Sequence, residues 1–144
     1  MGHDSSIYVV SKKVADAYVA AIEQDIEGVP EDPSGQYFSR TDEVIGENKE
    51  AFDTDFYMRG AHWLSDVFVP KVYEVGLQVF VLTKNELLEG IKDLCTAVMD
   101  NNFMEEFRFP QHLGVLVEAM RYSNVFDGVE DVEDEDVFLI EASY

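Results

Sequence analysis

Leu77-Gln78-Val79-Phe80-Val81-Leu82, running directly into Thr83-Lys84-Asn85-Glu86-Leu87-Leu88, is the stretch on which the fold turns. The first six residues are β-branched, aromatic or aliphatic apart from Gln78, which predicts a strand. Thr83 and Glu86 then stand at the spacing of a capping box. There the hydroxyl accepts from one orphan N–H of the first helical turn and the carboxylate reaches back to another. The helix so opened is predicted over Lys84 to Asp100, with Leu87, Leu88, Ile91, Leu94, Cys95 and Val98 on one face. Lys84, Glu89, Lys92 and Asp93 are assigned to the wet side. A strand feeding an amphipathic helix implies helices packed on a sheet.

Working outward, Ile7-Tyr8-Val9-Val10 predicts another strand, and Ser11 caps a helix whose face is Val14, Ala17, Tyr18, Ala21 and Ile22. Gly28 and Pro30 end that helix. Residues 29–50 hold Pro30, Pro33, Gly35 and Gly46 with little periodicity, so a long loop is expected there, with at most a turn of helix. A helix is expected from Thr54 to Val69, striped by Tyr57, Ala61, Leu64, Val67 and Phe68 and stopped by Pro70. After Asn101-Asn102 comes an aromatic stretch around Phe103, Phe107 and Phe109, then a last helix near Gln111 to Asn124. Residues 127–141 carry eight acids and no base, yet Val137-Phe138-Leu139-Ile140 within them predicts a third strand. The expectation is a single α+β domain over residues 1–144, with about four helices and a short sheet of about three strands.

Charge is the outlier in composition. Thirty Asp and Glu against ten Lys and Arg give a formal net charge of -20 and a pI of ≈ 4.2. Surface scaling gives a chain of this mass roughly 7,500 Å² of accessible area, so every few hundred Å² carries an uncompensated negative charge. That opposes direct binding to nucleic acid, which requires Lys and Arg to displace counterions, and docking on anionic membrane. It favours basic protein partners. B-DNA carries about two negative charges per base pair, so the excess matches that of roughly ten base pairs, the scale of a nucleic-acid mimic. The densest acids without compensating bases are Glu130, Asp131, Glu133, Asp134, Glu135 and Asp136. Glu43, Glu47 and Glu50 offer a second surface.

Other chemistry is sparse. Cys95 is the one cysteine, so no disulfide within the chain is available, and its apolar neighbours Leu94 and Val98 mark it as structural. His62, beside the single tryptophan Trp63 and four residues before Asp66, could be oriented by that carboxylate and act as a base. The commoner use of such a pair is a surface ion pair. No nucleophile elbow, phosphate loop or zinc-binding H-E-x-x-H is present. Asp131 to Asp136 lacks the spacing of a calcium loop, and no cofactor or metal is expected. No apolar run reaches 18 residues and no basic-then-apolar start is present, so a cytoplasmic protein off the membrane is expected.

Arg59-Gly60-Ala61-His62-Trp63-Leu64 through Phe68-Val69, then Leu82-Thr83-Lys84, then Leu88-Glu89 to Leu94-Cys95 and Val98, resemble a group of small phage and prophage proteins of unknown function. That group is patterned R-x-A-[NH]-x-[IL]…F-V, a strand ending V-[ST]-K, and a helix with L-E…L-C…V. His62, Ser65 and Val67 stand where the group usually has Asn and a second His and Trp, so no site residue carries over. The resemblance covers residues 59–98. It implies a phage or mobile-element origin, a setting in which small acidic proteins often inhibit host enzymes or defence systems. The resulting expectation is a non-enzymatic accessory or inhibitor protein, acting in the host cytoplasm, whose acidic surface binds a basic and often nucleic-acid-binding host or defence protein. The alternatives are a small hydrolase or ligand-binding enzyme using His62 and Asp66, or an immunity protein against a basic toxin.

Overall fold

The computed structural model describes residues 4–28, 39–53, 55–61, 63–73, 76–99, 109–123 and 135–143. Its elements are β1 (Asp4–Ser11), α1 (Lys12–Glu27), α2 (Arg40–Glu47), α3 (Lys49–Phe52), β2 (Phe56–Arg59), α4 (Leu64–Val67), β3 (Lys71–Tyr73), β4 (Leu77–Leu82), α5 (Lys84–Met99), α6 (Phe109–Tyr122) and β5 (Asp136–Ser143). The five strands form one sheet in the order β2-β1-β5-β4-β3. Every pairing is antiparallel. The α+β class holds, with two strands more than the sequence suggested.

Helices cover both faces of the sheet, and the residue alternation of each strand decides which side chain goes where. Ile7 and Val9, Met58, Phe80 and Leu82, and Phe138, Ile140 and Ala142 face one way. They pack with Leu87 and Leu94 of α5, Leu116 and Ala119 of α6, and Trp63, Leu64 and Phe68 around α4. Val10, Val79, Val137 and Leu139 face the other way, against Ala15, Tyr18, Val19 and Ile22 of α1 and Phe52 of α3. β5 lies at the centre with both its faces covered. This is why Val137 to Ile140 reads as an unbroken apolar run rather than as an alternation.

The local signals that worked are caps. Ser11 Oγ accepts from Val14 N at 3.3 Å to open α1. At α5, Thr83 N donates to Glu86 Oε1 at 3.1 Å and Glu86 N to Thr83 Oγ1 at 3.2 Å, the reciprocal box expected there. Gly90 on α5 is where the chain needs a missing side chain. A Cβ at that position would run into the Phe68 ring, which packs edge-on against Phe80 with centroids 6.4 Å apart.

Two expectations are corrected. The helix expected over residues 54–69 is a strand, a bend and one helical turn. Phe56 and Met58 turn inward while Tyr57 and Arg59 are exposed, a period of two, and β1 pairs with them from Ile7↔Phe56 to Asp4↔Arg59. Gly60 follows with φ +73°, a conformation no helix interior uses. The loop expected over residues 29–50 contains α2 and the start of α3, because Ser39 Oγ accepts from Asp42 N at 3.0 Å and acids fill the first turn. The third strand expected at Val137 to Ile140 within the acidic segment 127–141 is present as β5, which runs from Asp136 to Ser143 at the centre of the sheet. Three side chains also depart from the expected α5 pattern, among them Leu88, assigned to the apolar face and 43% exposed. Lys84, assigned to the wet side, is 4% exposed with Nζ 3.3 Å from Ser123 Oγ, and Cys95 is half-buried.

Candidate functional site

The α1 side of the sheet is not fully closed. Between α1 and the β3–β4 hairpin runs a groove of ≈ 690 Å³, walled by Tyr18, Ile22 and Ile26 of α1 and by Tyr73 and Leu77, with Asp25 and Thr41 at one end and Glu141 on its floor. Ile26 continues the apolar stripe of Tyr18 and Ile22 by one more turn, beyond the part of α1 that the sheet covers. It is therefore left 53% exposed. A second hollow of ≈ 190 Å³, lined by Asp4, Ser6, Leu77, Glu141 and Ser143, opens on the far side of the same glutamate. Among the described residues, neither is lined by a lysine or an arginine.

Glu141 is the anomaly of this face. It lies on the central strand, directly opposite Val79 on one side and Ser6 on the other, where its neighbours along β5 are apolar. Tyr18 Oη donates to Glu141 Oε2 at 2.9 Å. Half-burying a carboxylate costs solvation that one neutral hydroxyl only partly restores. The ion pairs on the described residues are Lys12–Asp16, Arg40–Glu43, Lys71–Glu23 and Arg121–Glu118, so no cation answers Glu141.

Tyrosines surround these acids as hydrogen-bond donors. Burial first, and then the Glu141 charge, pushes the Tyr18 hydroxyl well above its ordinary range, so it remains a donor. Tyr8 is raised by burial, with Asp55 and Glu141 adding to it, against a lowering hydrogen bond from Ser6. Burial and the neighbouring Glu23, 3.4 Å from its hydroxyl, raise Tyr73. The hydrogen bond to Asp4 raises Tyr57. Asp25 behaves in the opposite way. Partial burial pushes its carboxyl up, but hydrogen bonds from Arg40 N at 2.7 Å, Thr41 N at 3.2 Å and Thr41 Oγ1 at 2.9 Å outweigh this and hold it below the usual carboxylate range. Asp25 thereby satisfies the first amides of α2 and ties that helix to the end of α1.

The acids singled out by the sequence are scattered over the fold. Glu43 and Glu47 are on α2 and Glu50 is on α3. Glu43 is half-buried and pairs with Arg40 at 3.0 Å, while Glu47 and Glu50 are exposed. Glu135 and Asp136 are half-buried at the start of β5, where Lys12 N donates to the Glu135 carbonyl at 2.9 Å and Asp136 pairs with Ser11. Glu130, Asp131, Glu133 and Asp134 lie outside the described residues, as does the aromatic stretch at Phe103 and Phe107. So does His62, together with the side chain of Asp66 on α4.

The structure instead assembles two clusters that sequence spacing could not reveal. One is the groove, whose Tyr18–Glu141 contact spans 123 positions of chain. The other is in the opposite core. Trp63 Nε1 donates to His112 Nδ1 at 2.9 Å, and His112 Nε2 is 2.9 Å from the Arg59 carbonyl. With Nδ1 accepting, Nε2 carries the proton and donates to Arg59, which fixes one neutral tautomer. Both side chains are buried, and they staple α6 to the bend after β2.

Among the described residues no group of three or more His, Cys, Asp or Glu side chains is placed to hold a metal ion. Nor is any of their helices long and apolar enough to cross a membrane. In comparisons with known proteins, the chain matches no family model, no curated protein and no solved structure.

Proposed function

We propose that this protein is a non-enzymatic binding protein that occupies the basic surface of a partner protein. The observation that carries the reading is charge: a net -20 on 144 residues, combined with two hollows on one sheet face that share Glu141, each lined by a further acid and by no cation among the described residues. Electrostatic attraction would speed encounter with a basic surface, and an apolar groove would supply residence time. A surface built to bind phosphate backbone on the partner is the natural counterpart, so the chain would act as a nucleic-acid mimic. The likeness of residues 59–98 to phage proteins supports the more specific reading, an accessory inhibitor of a host or defence protein.

The test is the association rate with a ten-residue polyarginine peptide across a salt series. The proteins compared are the wild type, a form with Glu130, Asp131, Glu133, Asp134, Glu135 and Asp136 changed to amides, and a form with Glu43, Glu47 and Glu50 changed likewise. Charge reaches only about 8 Å at physiological ionic strength, so the wild-type rate should fall steeply with salt and at least one variant should associate more slowly. Salt-independent association that neither variant alters would overturn the proposal.

A further inference from the structure

Resting on that reading, we infer that the groove between α1 and the β3–β4 hairpin is the anchor site for one arginine side chain of the basic partner, with Glu141 as its counter-ion. Glu141 is held half-buried on the central strand with a tyrosine hydroxyl as its donor and no lysine or arginine paired to it among the described residues. A cation delivered from outside would find the carboxylate already desolvated and already oriented by Tyr18, so little further cost attaches to the pairing.

The walls specify which cation. Ile26 and Leu77 suit the three-methylene stem of arginine, and Tyr73, half-buried on the hairpin side, supplies an aromatic ring beside which a planar guanidinium stacks. The buried Tyr18 holds the carboxylate in place. Guanidinium is also more weakly hydrated than ammonium and forks onto a carboxylate, so arginine fits a partly buried acid better than lysine does. Asp25 at the groove end and Asp4 in the adjoining hollow make the surrounding potential negative. The nearest internal rival is Lys71. It stands in the same cross-strand row as Glu141, with Val79 between them, and is engaged instead by Glu23 at 3.7 Å.

The experiment is a titration of the full chain, followed by NMR of the Tyr18 and Tyr73 rings and the Ile22, Ile26 and Leu77 methyls. The probes are a glycine pentapeptide with one central arginine and the same peptide with citrulline, which keeps the shape and removes the charge. We expect saturable shifts confined to these groups, with binding at least about tenfold weaker for citrulline, the size of one charged hydrogen bond. Glu141→Gln, which can still accept from Tyr18, and Ile26→Gln, on the exposed wall, should each weaken the arginine peptide by a similar factor. Lys71→Gln should leave binding unchanged or strengthen it. Equal binding of the arginine and citrulline peptides overturns the inference, as does arginine binding that appears only in Lys71→Gln. Groove signals that shift on simple dilution would assign the site to a second copy of the chain and overturn it too. If polyarginine binds with salt dependence while the groove signals stay still, the anchor is wrong and the basic-partner reading survives. If polyarginine does not bind at low salt, both fall.

Discussion

The two faces of the sheet are built from the same five strands and end up chemically opposite. On the α5–α6 face the strands present Ile7, Val9, Phe80, Phe138 and Ile140, all at most 4% exposed. The polar pairs buried on that side, Trp63 with His112 and Lys84 with Ser123, are each hydrogen-bonded within the chain. On the α1 face the same strands present Tyr8 and Glu141 beside Val10 and Leu139, and a groove is left open over Glu141. The first face is close-packed and nearly dry, the arrangement that holds a fold together, with the Ser5 hydroxyl its one buried side-chain group without a hydrogen bond among the described residues. The second retains a half-buried charge and exposed apolar surface that the described residues do not cover, and such features serve a partner better than they serve stability.

The comparison breaks most visibly if the closed face can be hollowed cheaply. Phe138→Ala removes a fully buried ring at the sheet centre and should cost about 3–5 kcal/mol, read as a lower denaturant midpoint with an unchanged slope. A loss under about 1 kcal/mol would mean that the centre of the sheet is not the stabilising core. Next in size is the polar staple. Trp63→Phe keeps most of the ring but leaves His112 Nδ1 without its donor, so about 1–3 kcal/mol should be lost. His112→Leu combined with Trp63→Phe should recover part of that loss, since no buried ring nitrogen is then left unsatisfied and only the part-buried Arg59 carbonyl gives up its donor. Failure to recover any would place the effect in ring packing instead.

Smaller again is the tie between α1 and α2 on the open face. Asp25→Ala should cost about 1 kcal/mol at neutral pH, the usual worth of a helix cap at a partly exposed site. Because folding lowers the Asp25 carboxyl, its contribution is complete above the unfolded carboxyl range near pH 4 and is lost as pH falls through the folded value. Wild type and variant should therefore converge in stability below about pH 3 and differ above pH 5. A constant difference down to pH 2 would mean that the carboxylate charge is not what caps α2.

The sequence made the separate elements more legible than the groove between them, for a physical reason. Apolar runs and caps are local, so β4, the Thr83–Glu86 box, α1 and the core of β5 could all be read from neighbouring residues. β2 was misread because Tyr57, Ala61 and Leu64 happen to fall at helical spacing, and only pairing with β1 selects the alternation of Met58 against Tyr57 and Arg59. The groove was invisible because Glu141 reads as one acid among thirty until the sheet register sets it opposite Val79 and under Tyr18. Charge density drew the eye to residues 130–136, whereas Asp136 belongs to the strand that organises the sheet.

The most direct test of this division of labour measures stability and polyarginine binding together in two variants, one from each face. Phe138→Leu lies in the closed core, and Ile26→Gln lies on the groove wall. The account predicts that Phe138→Leu lowers stability by about 1 kcal/mol or more and binds polyarginine as the wild type does. Ile26→Gln should keep its stability to within about 0.5 kcal/mol and lose roughly tenfold in affinity. The reverse pattern, with weakened binding in Phe138→Leu at unchanged fold and full affinity in Ile26→Gln, would contradict it.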